Sequence, residues 1–128
     1  MRLAVLASGT GSICQAIIDA HVDVAAVVAD RTCGVIDLAN AAGIPAFLVE
    51  RTDFGPDFDR AQFSRDIVTT LQQADIDVVA MAGFGTVLDA PFFDAFDGRV
   101  LNTHPALLPS FPGWHGVRDA LREGVKIT

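Results

Sequence analysis

The sequence predicts an α/β fold in which a mostly parallel sheet carries helices on both faces. Short apolar runs alternate along the chain with segments whose apolar residues recur at helical spacing, and this alternation is typical of β-α-β units. The apolar runs are continuous, as expected of strands that are buried on both faces. Together these two observations indicate a Rossmann-like architecture.

Five strands are predicted from apolar runs that end in turn or polar residues. The first run stops at a Gly-Thr-Gly turn and the second at Asp30-Arg31. Both are rich in small and β-branched residues, which suit a strand inside a parallel sheet. In chain order, the predicted strands are residues 2–7, 22–29, 46–49, 76–82 and 99–102.

Five helices are predicted between or after these strands. Four apolar residues between positions 13 and 20 recur at helical spacing. The second helix should be closed by Gly43 and stopped by Pro45, and a polar loop over residues 51–57 precedes the longest helix. In chain order, the predicted helices are residues 12–20, 34–42, 58–74, 91–96 and 116–123.

Residues 1–128 are expected to form a single domain, since a chain of 128 residues is long enough to bury one core. The final residues, Val125-Lys126-Ile127-Thr128, form a largely apolar, β-branched run without a turn after it. We therefore expect a strand to begin here and the domain to be incomplete at its C-terminus. A short terminal strand that simply ends there is the alternative.

Charge and composition exclude several classes of function. The formal net charge is −7, and no cluster of Lys and Arg is present to neutralise nucleic-acid phosphates. The N-terminal apolar run is too short for a signal peptide, and no run approaches the ~18 residues of a membrane span. Cys14 and Cys33 lie outside any CxxC pattern and indicate reduced thiols. A cytoplasmic protein without a nucleic-acid or membrane partner is expected.

The first candidate site is the Gly-Thr-Gly-Ser turn at residues 9–12, between the first strand and the first helix. Parallel sheets bind ligands beyond the carboxyl ends of their strands, and glycines allow a close approach of backbone to ligand. The free amides and the dipole of the first helical turn favour a phosphate. Ser12 is expected to cap the helix, to bind the phosphate, or to do both. A capped turn without a ligand is the alternative.

The same turn also fits a dinucleotide site. Gly9-x-Gly11-x-x-Cys14 resembles the fingerprint of nicotinamide-dependent enzymes, and Asp30 ends the second strand where a ribose-binding acid is expected. The fingerprint prefers Gly or Ala at its third position, where this chain has Cys14. Half of an NAD-dependent oxidoreductase domain therefore stays open as an alternative at this point.

The second candidate site is the pair Asn102 and His104, which leave the fifth predicted strand. Two residues apart in an extended segment, they project to the same side of the chain, and Pro105 favours that extended backbone at His104. An amide donor stabilises the oxyanion of an acyl-type transfer, and an imidazole accepts or relays a proton near neutral pH. An isolated Asn-x-His is more often structural, with Asn102 ending a strand and His104 serving as a hydrogen-bonding residue.

The run over residues 102–113, Asn-x-His-Pro-x-Leu-Leu-Pro-x-Phe-Pro-Gly, resembles the core motif of the folate-dependent formyltransferases. Residues 5–12 resemble the phosphate loop of the branch that formylates glycinamide ribonucleotide in purine biosynthesis, and Ala82-Gly83-Phe84 resembles its folate-binding segment. The resemblance runs the length of the chain. It implies the formyltransferase fold, here lacking its C-terminal elements. It also implies formyl transfer from 10-formyltetrahydrofolate, as co-substrate, to the amine of glycinamide ribonucleotide without a metal.

The resemblance also implies a role for each matching residue. Asn102 would bind the formyl oxygen, and His104 would stabilise the tetrahedral intermediate and relay the proton. The implied phosphate site consists of Gly9, Thr10, Gly11, Ser12 and Ile13. The implied folate site consists of Arg60, Phe84, Gly85, Thr86, Val87 and Leu88. His115, which follows Trp114, is a further candidate for contact with substrate.

The chain departs from this family at several positions. Thr10 and Ile13 stand where asparagines are common, and Gly85-Thr86 replaces a typical Met-Arg pair. The family's catalytic aspartate falls beyond residue 128, so the resemblance implies that these residues alone are a weak catalyst. A formyltetrahydrofolate deformylase and a non-catalytic binding fragment are the alternatives. The expected partners are the two small-molecule substrates, and a homodimer is left open.

Overall fold

A computed structural model describes residues 1–127, which form a five-stranded sheet with helices on both faces. The strand order is β3-β2-β1-β4-β5, and every neighbouring pair is parallel. In chain order the elements are β1 Leu3–Ala7, α1 Ser12–Asp19, β2 Val24–Ala29, α2 Gly34–Ala41, β3 Ala46–Leu48, α3 Arg60–Gln73, β4 Val78–Met81, α4 Ala90–Ala95, β5 Val100–Asn102 and α5 Gly116–Arg122. The predicted α/β class is confirmed.

The central strand β1 buries its side chains on both faces of the sheet. Ala4 and Leu6 belong to one buried cluster, whereas Val5 and Ala7 belong to another. Successive residues of a strand point to opposite faces, so a continuous apolar run is the pattern that both clusters require. This explains why the strands read as unbroken apolar segments.

Each face of the sheet is covered by its own pair of helices. Phe63 and Ile67 of α3 and Phe92 of α4 pack in the cluster that contains Leu6. Cys14 of α1 and Val35 and Ala39 of α2 pack in the cluster that contains Val5. The two layers hold the carboxyl ends of the strands at one edge, where ligands bind in sheets of this kind.

All ten predicted elements are present, with bounds within two residues of those expected from the sequence. The second helix ends as predicted, because Gly43 follows its C-cap with φ 70°. The strand expected over the final four residues is not seen in residues 125–127, and Thr128 lies outside the described residues. None of the helices in the described part of the chain has the length and apolar character that a membrane crossing requires.

Candidate functional site

The candidate site lies at the carboxyl ends of β1, β4 and β5. From β1 the sheet continues to β2 and β3 on one side and to β4 and β5 on the other. The connections diverge at such a point and leave a crevice between the strand ends. Here the Ser8 N–H donates to the Gly83 oxygen at 3.0 Å, and the Thr103 N–H donates to the Met81 oxygen at 3.1 Å. These bonds fix the backbone that leaves each strand.

Residues 9–13 form the glycine loop, which carries the predicted phosphate site. Gly11 has φ 87° and is the N-cap of α1, and its carbonyl oxygen accepts from the Gln15 N–H at 2.8 Å. The expectation that Ser12 caps the helix is therefore wrong, because Ser12 is already the first helical residue and no side chain caps α1. Only a residue tolerant of a left-handed backbone suits the N-cap here.

The glycine loop is held in place by the start of α2. The Val35 N–H donates to the Gly9 oxygen at 3.0 Å. A Cβ at Gly11 would lie 2.9 Å from Val35 Cγ2, and a Cβ at Gly34 would lie 3.3 Å from Thr10 Cα. Both glycines thus favour the close packing of the loop on the start of α2.

Four of the five predicted phosphate-site residues are exposed: Gly9, Thr10, Ser12 and Ile13. Gly11, the fifth, is buried. The backbone N–H groups in the first turn of a helix have no partner within the helix. In α1 these N–H groups belong to the residues that directly follow Gly11. Together with the helix dipole they form an anion-binding surface beside the crevice.

A cavity of about 630 Å³, which we call the histidine cavity, brings the two candidate sites together. It is lined by the predicted catalytic residues Asn102 and His104 and by Ile13 of the glycine loop. Other lining residues are Gly83, Phe84, Gly85, Val87, Thr103, Pro105, Gly113 and Trp114. The volume is typical of a small-molecule site.

The His104 ring is anchored within its own loop. Its Nε2 lies 2.8 Å from the Phe111 oxygen, so the neutral ring carries its proton on Nε2 and keeps a lone pair on Nδ1. Among residues 1–127, His104 forms no ion pair with a carboxylate. Asp119, a carboxylate on α5, instead pairs with Arg118 at 3.3 Å and Arg122 at 3.7 Å.

The Asn102 side chain is the last of β5 and is exposed. Met81 of β4 is its partner in the sheet. The side-chain amide has no hydrogen-bond partner among the described residues, and it lines both the histidine cavity and a second cavity. Its donor and acceptor are therefore available to a ligand at the junction of the two spaces.

The second cavity, which we call the apolar cavity, has a volume of about 510 Å³. Its lining includes Phe84, Thr86, Val87 and Leu88, four of the six predicted folate residues. Gly85 lines the histidine cavity. Apolar walls come also from β4, α4 and β5, through Met81, Phe93, Phe96 and Val100. The structure thus brings five of the six predicted residues to two adjoining cavities.

Arg60, the sixth, lies at the start of α3 and does not line either cavity. Its Nη1–H donates to the backbone oxygen of Val87, and its guanidinium lies 5.3 Å from the Phe58 ring centroid. It therefore bonds to the backbone of a residue that lines both cavities. Its contact with a folate stays a prediction.

Asp30 does not have the surroundings that a dinucleotide site requires. Its side chain is fully buried, accepts a 2.6 Å hydrogen bond from Thr86 Oγ1, and pairs with Arg31 Nε at 3.1 Å. Burial raises the pKa of the Asp30 carboxyl, but the hydrogen bonds from Arg31, Thr86 and Ser8 and the Arg31 charge hold the pKa below its ordinary value. Because this carboxylate is fully buried, a ribose hydroxyl cannot reach it.

Trp114 is a cavity residue that the sequence pattern did not single out. It is 74% exposed and lines the histidine cavity, and its ring comes within 3.5 Å of the position a Cβ would take at Gly85. The sequence feature that could have indicated this residue is that the single tryptophan of the chain directly follows Pro112-Gly113. The neighbouring His115 is exposed at the N-cap of α5 and does not line either cavity, so its contact with substrate stays a prediction.

No group of His, Cys, Asp or Glu that could hold a metal ion is found in the part of the chain that the structure describes. The site itself offers an amide, an imidazole, backbone amides and apolar walls. Such a set can bind an anion, enclose a flat ring and stabilise charge on a carbonyl oxygen.

Comparison with known proteins gives a consistent result. A family model described as formyl transferase matches residues 1–128. A phosphoribosylglycinamide formyltransferase of Mycobacterium tuberculosis is 46% identical over 132 residues, which cover 99% of this chain and 60% of that protein. The trifunctional purine biosynthetic protein adenosine-3 of Drosophila melanogaster is 41% identical over 135 residues, which cover 98% of this chain and 10% of that protein.

A solved structure agrees with these sequence matches. The phosphoribosylglycinamide formyltransferase of Streptococcus pneumoniae superposes with a TM-score of 0.86 at 35% identity, covering 97% of this chain and 67% of that one. The match to the curated relative from M. tuberculosis shows that the chain spans about 60% of the length of that protein.

Proposed function

Since the chain belongs to the formyl transferase family, we propose that it serves in the transfer of a formyl group from 10-formyltetrahydrofolate to the amine of glycinamide ribonucleotide. The relatives from M. tuberculosis and S. pneumoniae are named for this activity. Because the chain spans only part of their length, the activity, substrates and partners of the whole protein belong to the proposal. We also propose that the protein acts in the cytoplasm.

The observation that carries the proposal is the position of Asn102 between two adjoining cavities. The apolar cavity and the histidine cavity share Asn102, Phe84 and Val87 in their walls. A transfer between two substrates needs two binding spaces that meet at the reacting carbon. A donor in one space and an acceptor in the other would meet beside the Asn102 amide.

The glycine loop supports glycinamide ribonucleotide as the acceptor. Ile13 belongs both to this loop and to the lining of the histidine cavity, so a phosphate on the first-turn amides of α1 would lead directly into that cavity. Backbone amides and the helix dipole would hold the phosphate despite the net charge of −7. The rest of the ligand would then extend toward His104.

The apolar cavity supports a flat heterocycle as the donor. Its apolar side chains include those of Phe84, Phe93, Phe96 and Leu88. Ligand sites of this volume are mostly apolar, with a few polar groups that fix orientation. The residues present fit the pterin ring of 10-formyltetrahydrofolate.

Asn102 and His104 would supply the chemistry of the transfer. The substrate amine forms a C–N bond to the formyl carbon, the bond from that carbon to the donor nitrogen breaks, and the proton lost by the amine is returned to the donor nitrogen. The Asn102 N–H would donate to the oxygen as it becomes negative, which is worth about 3–4 kcal/mol in comparable sites. His104, with its free Nδ1 lone pair, would accept and return the proton.

Analysis of the products tests this proposal. The protein is incubated with 10-formyltetrahydrofolate labelled in the formyl group, with and without glycinamide ribonucleotide. We expect the label in formylglycinamide ribonucleotide. Label in formate, independent of the ribonucleotide, would instead show a deformylase. Binding of both ligands without any product would show a non-catalytic binding fragment.

A further inference from the structure

A buried carboxylate outside both cavities anchors one of the segments that line them. Asp30 directly follows β2, and its side chain is fully buried. Thr86 donates from Oγ1 to Asp30 Oδ2 at 2.6 Å, and Arg31 donates from Nε to Oδ1 at 3.1 Å. Thr86 itself is 1% exposed. The hydroxyl of this predicted folate residue is therefore used inside the protein and is not available to a ligand.

Ser8 extends the network to the glycine loop. Its Oγ accepts from the Gly85 N–H at 2.6 Å, so the residue before the glycine loop is bonded directly to the neighbour of Thr86. Ser8 immediately precedes Gly9. The Asp30–Thr86 and Ser8–Gly85 hydrogen bonds thus hold the segment proposed for the folate against the residue that precedes the loop proposed for the phosphate.

The energetics of burial make this network sensitive to the loss of any donor. Hydrogen bonds to a charged group are stronger than neutral ones, and a buried charge that loses a partner keeps the full cost of its desolvation. Neither Asn102 nor His104 forms a hydrogen bond within the network. A change in the network therefore acts on the placement of ligands and does not remove a reacting group.

We propose that Asp30 is a positioning residue that couples the glycine loop to residues 85–86, so that the affinity of the loop for its phosphate ligand depends on the Thr86 hydroxyl. This inference rests on the proposed function for the identity of the two ligands. Asp30 holds the Thr86 hydroxyl, and the N–H of the adjacent Gly85 donates to Ser8, so the effect passes from Asp30 through residues 85–86 to the residue before the glycine loop.

The test measures binding at one segment after a change at the other. Thr86→Val keeps the shape of the side chain and removes its donor. By calorimetry we expect its dissociation constant for glycinamide ribonucleotide to rise about fivefold or more, with an unchanged number of sites. Thr86→Ser restores the hydroxyl and should bind within about twofold of the parent. A purely structural role for Thr86 would lower the number of sites and leave the dissociation constant as it was.

Thr69→Val is the matched control, because Thr69 is exposed on α3 and bonds only to the backbone oxygen of Arg65. Should Thr86→Val fail to fold, Asp30→Asn, which keeps one acceptor oxygen, is measured in its place. A dissociation constant equal to that of the parent in the folded variant overturns the inference.

Inorganic phosphate is used as a second probe, since it tests the glycine loop alone. If the parent protein binds phosphate but not the ribonucleotide, the proposed function is contradicted. The dissociation constants of the parent and of Thr86→Val for phosphate then still decide whether the two segments are coupled. A parent that binds neither probe overturns both.

Discussion

The Nε2 atom of His104 lies 2.8 Å from the backbone oxygen of Phe111, seven residues further along the same loop. Phe111 presents this oxygen from a backbone with φ 56°, a left-handed conformation that costs a non-glycine residue about 1–3 kcal/mol. Such strain persists where the surrounding structure enforces it. Here it places the acceptor that fixes which ring nitrogen of His104 carries the proton.

We predict that Gly116→Ala disturbs this contact. A Cβ at Gly116 would lie 3.0 Å from the Phe111 oxygen and 3.1 Å from His104 Nε2. The displaced ring should show both tautomers by ¹⁵N NMR, and formyl transfer should fall about 10- to 100-fold. Arg118→Ala, an exposed change on the same helix, is the control. Ring nitrogen shifts identical to those of the parent in Gly116→Ala would refute the prediction.

We predict that Gly11→Ala destabilises the protein while Gly9→Ala does not. At Gly11 the backbone has φ 87° and a Cβ would meet Val35 Cγ2 at 2.9 Å, whereas at Gly9 no heavy atom lies within 4 Å. The expected loss for Gly11→Ala is about 1–3 kcal/mol by urea unfolding. Its affinity for glycinamide ribonucleotide should fall while folate binding is retained. Equal loss of both affinities would point to general misfolding and not to a phosphate site.

We predict a specific pH dependence for the contribution of Asp30 to stability. Its pKa is lowered in the folded protein, so the stabilisation is complete above the unfolded value of about 3.9 and is lost as the pH falls through the folded value. The difference in unfolding free energy between parent and Asp30→Asn should be constant down to about pH 5 and shrink below about pH 4. Urea titrations across this range measure it. If the difference in unfolding free energy between parent and Asp30→Asn grows as the pH is lowered, the prediction is contradicted.

We predict that the 128-residue chain self-associates through β5. This strand lies at the edge of the sheet, and Leu101 is 69% exposed on it. Unpaired edges invite pairing with another chain, and lysine blocks it. Leu101→Lys should lower the association constant roughly tenfold in sedimentation experiments. Leu121→Lys, a change at a residue 72% exposed on α5, should not. If both substitutions lower the association constant equally, the association depends on general apolar contact and not on pairing through β5.

The order and type of the elements could be predicted because the signals are local. In β1, the buried alternation of Ala4 and Leu6 with Val5 and Ala7 appears in the sequence as an unbroken apolar run. The pair Asn102 and His104 could be predicted too, since one ends a short strand and the other lies two residues beyond it. Their joint presence in one cavity agrees with that interpretation.

The remaining site features depend on contacts between distant segments. Thr86 is hydrogen-bonded to Asp30, which lies 56 positions earlier in the chain. The residues around Thr86 and those around Asp30 contain no sequence pattern that predicts this bond. The cap of α1 depends on Gly11, which Val35 of another helix holds in place. Trp114 lines the same cavity as Gly85, although the two residues belong to different loops. Such relations arise only when the loops pack together.

The proposed transfer chemistry is tested most directly by single-turnover formyl transfer in Asn102→Ala, His104→Ala and the double variant. With protein in excess, even a slow transfer to glycinamide ribonucleotide can be timed. Each single variant should be at least ~100-fold slower than the parent, and the double variant should lose less than the two effects combined, because both residues act on one intermediate. A rate within a few-fold of the parent for either single variant would contradict the assignment of that residue to the reaction.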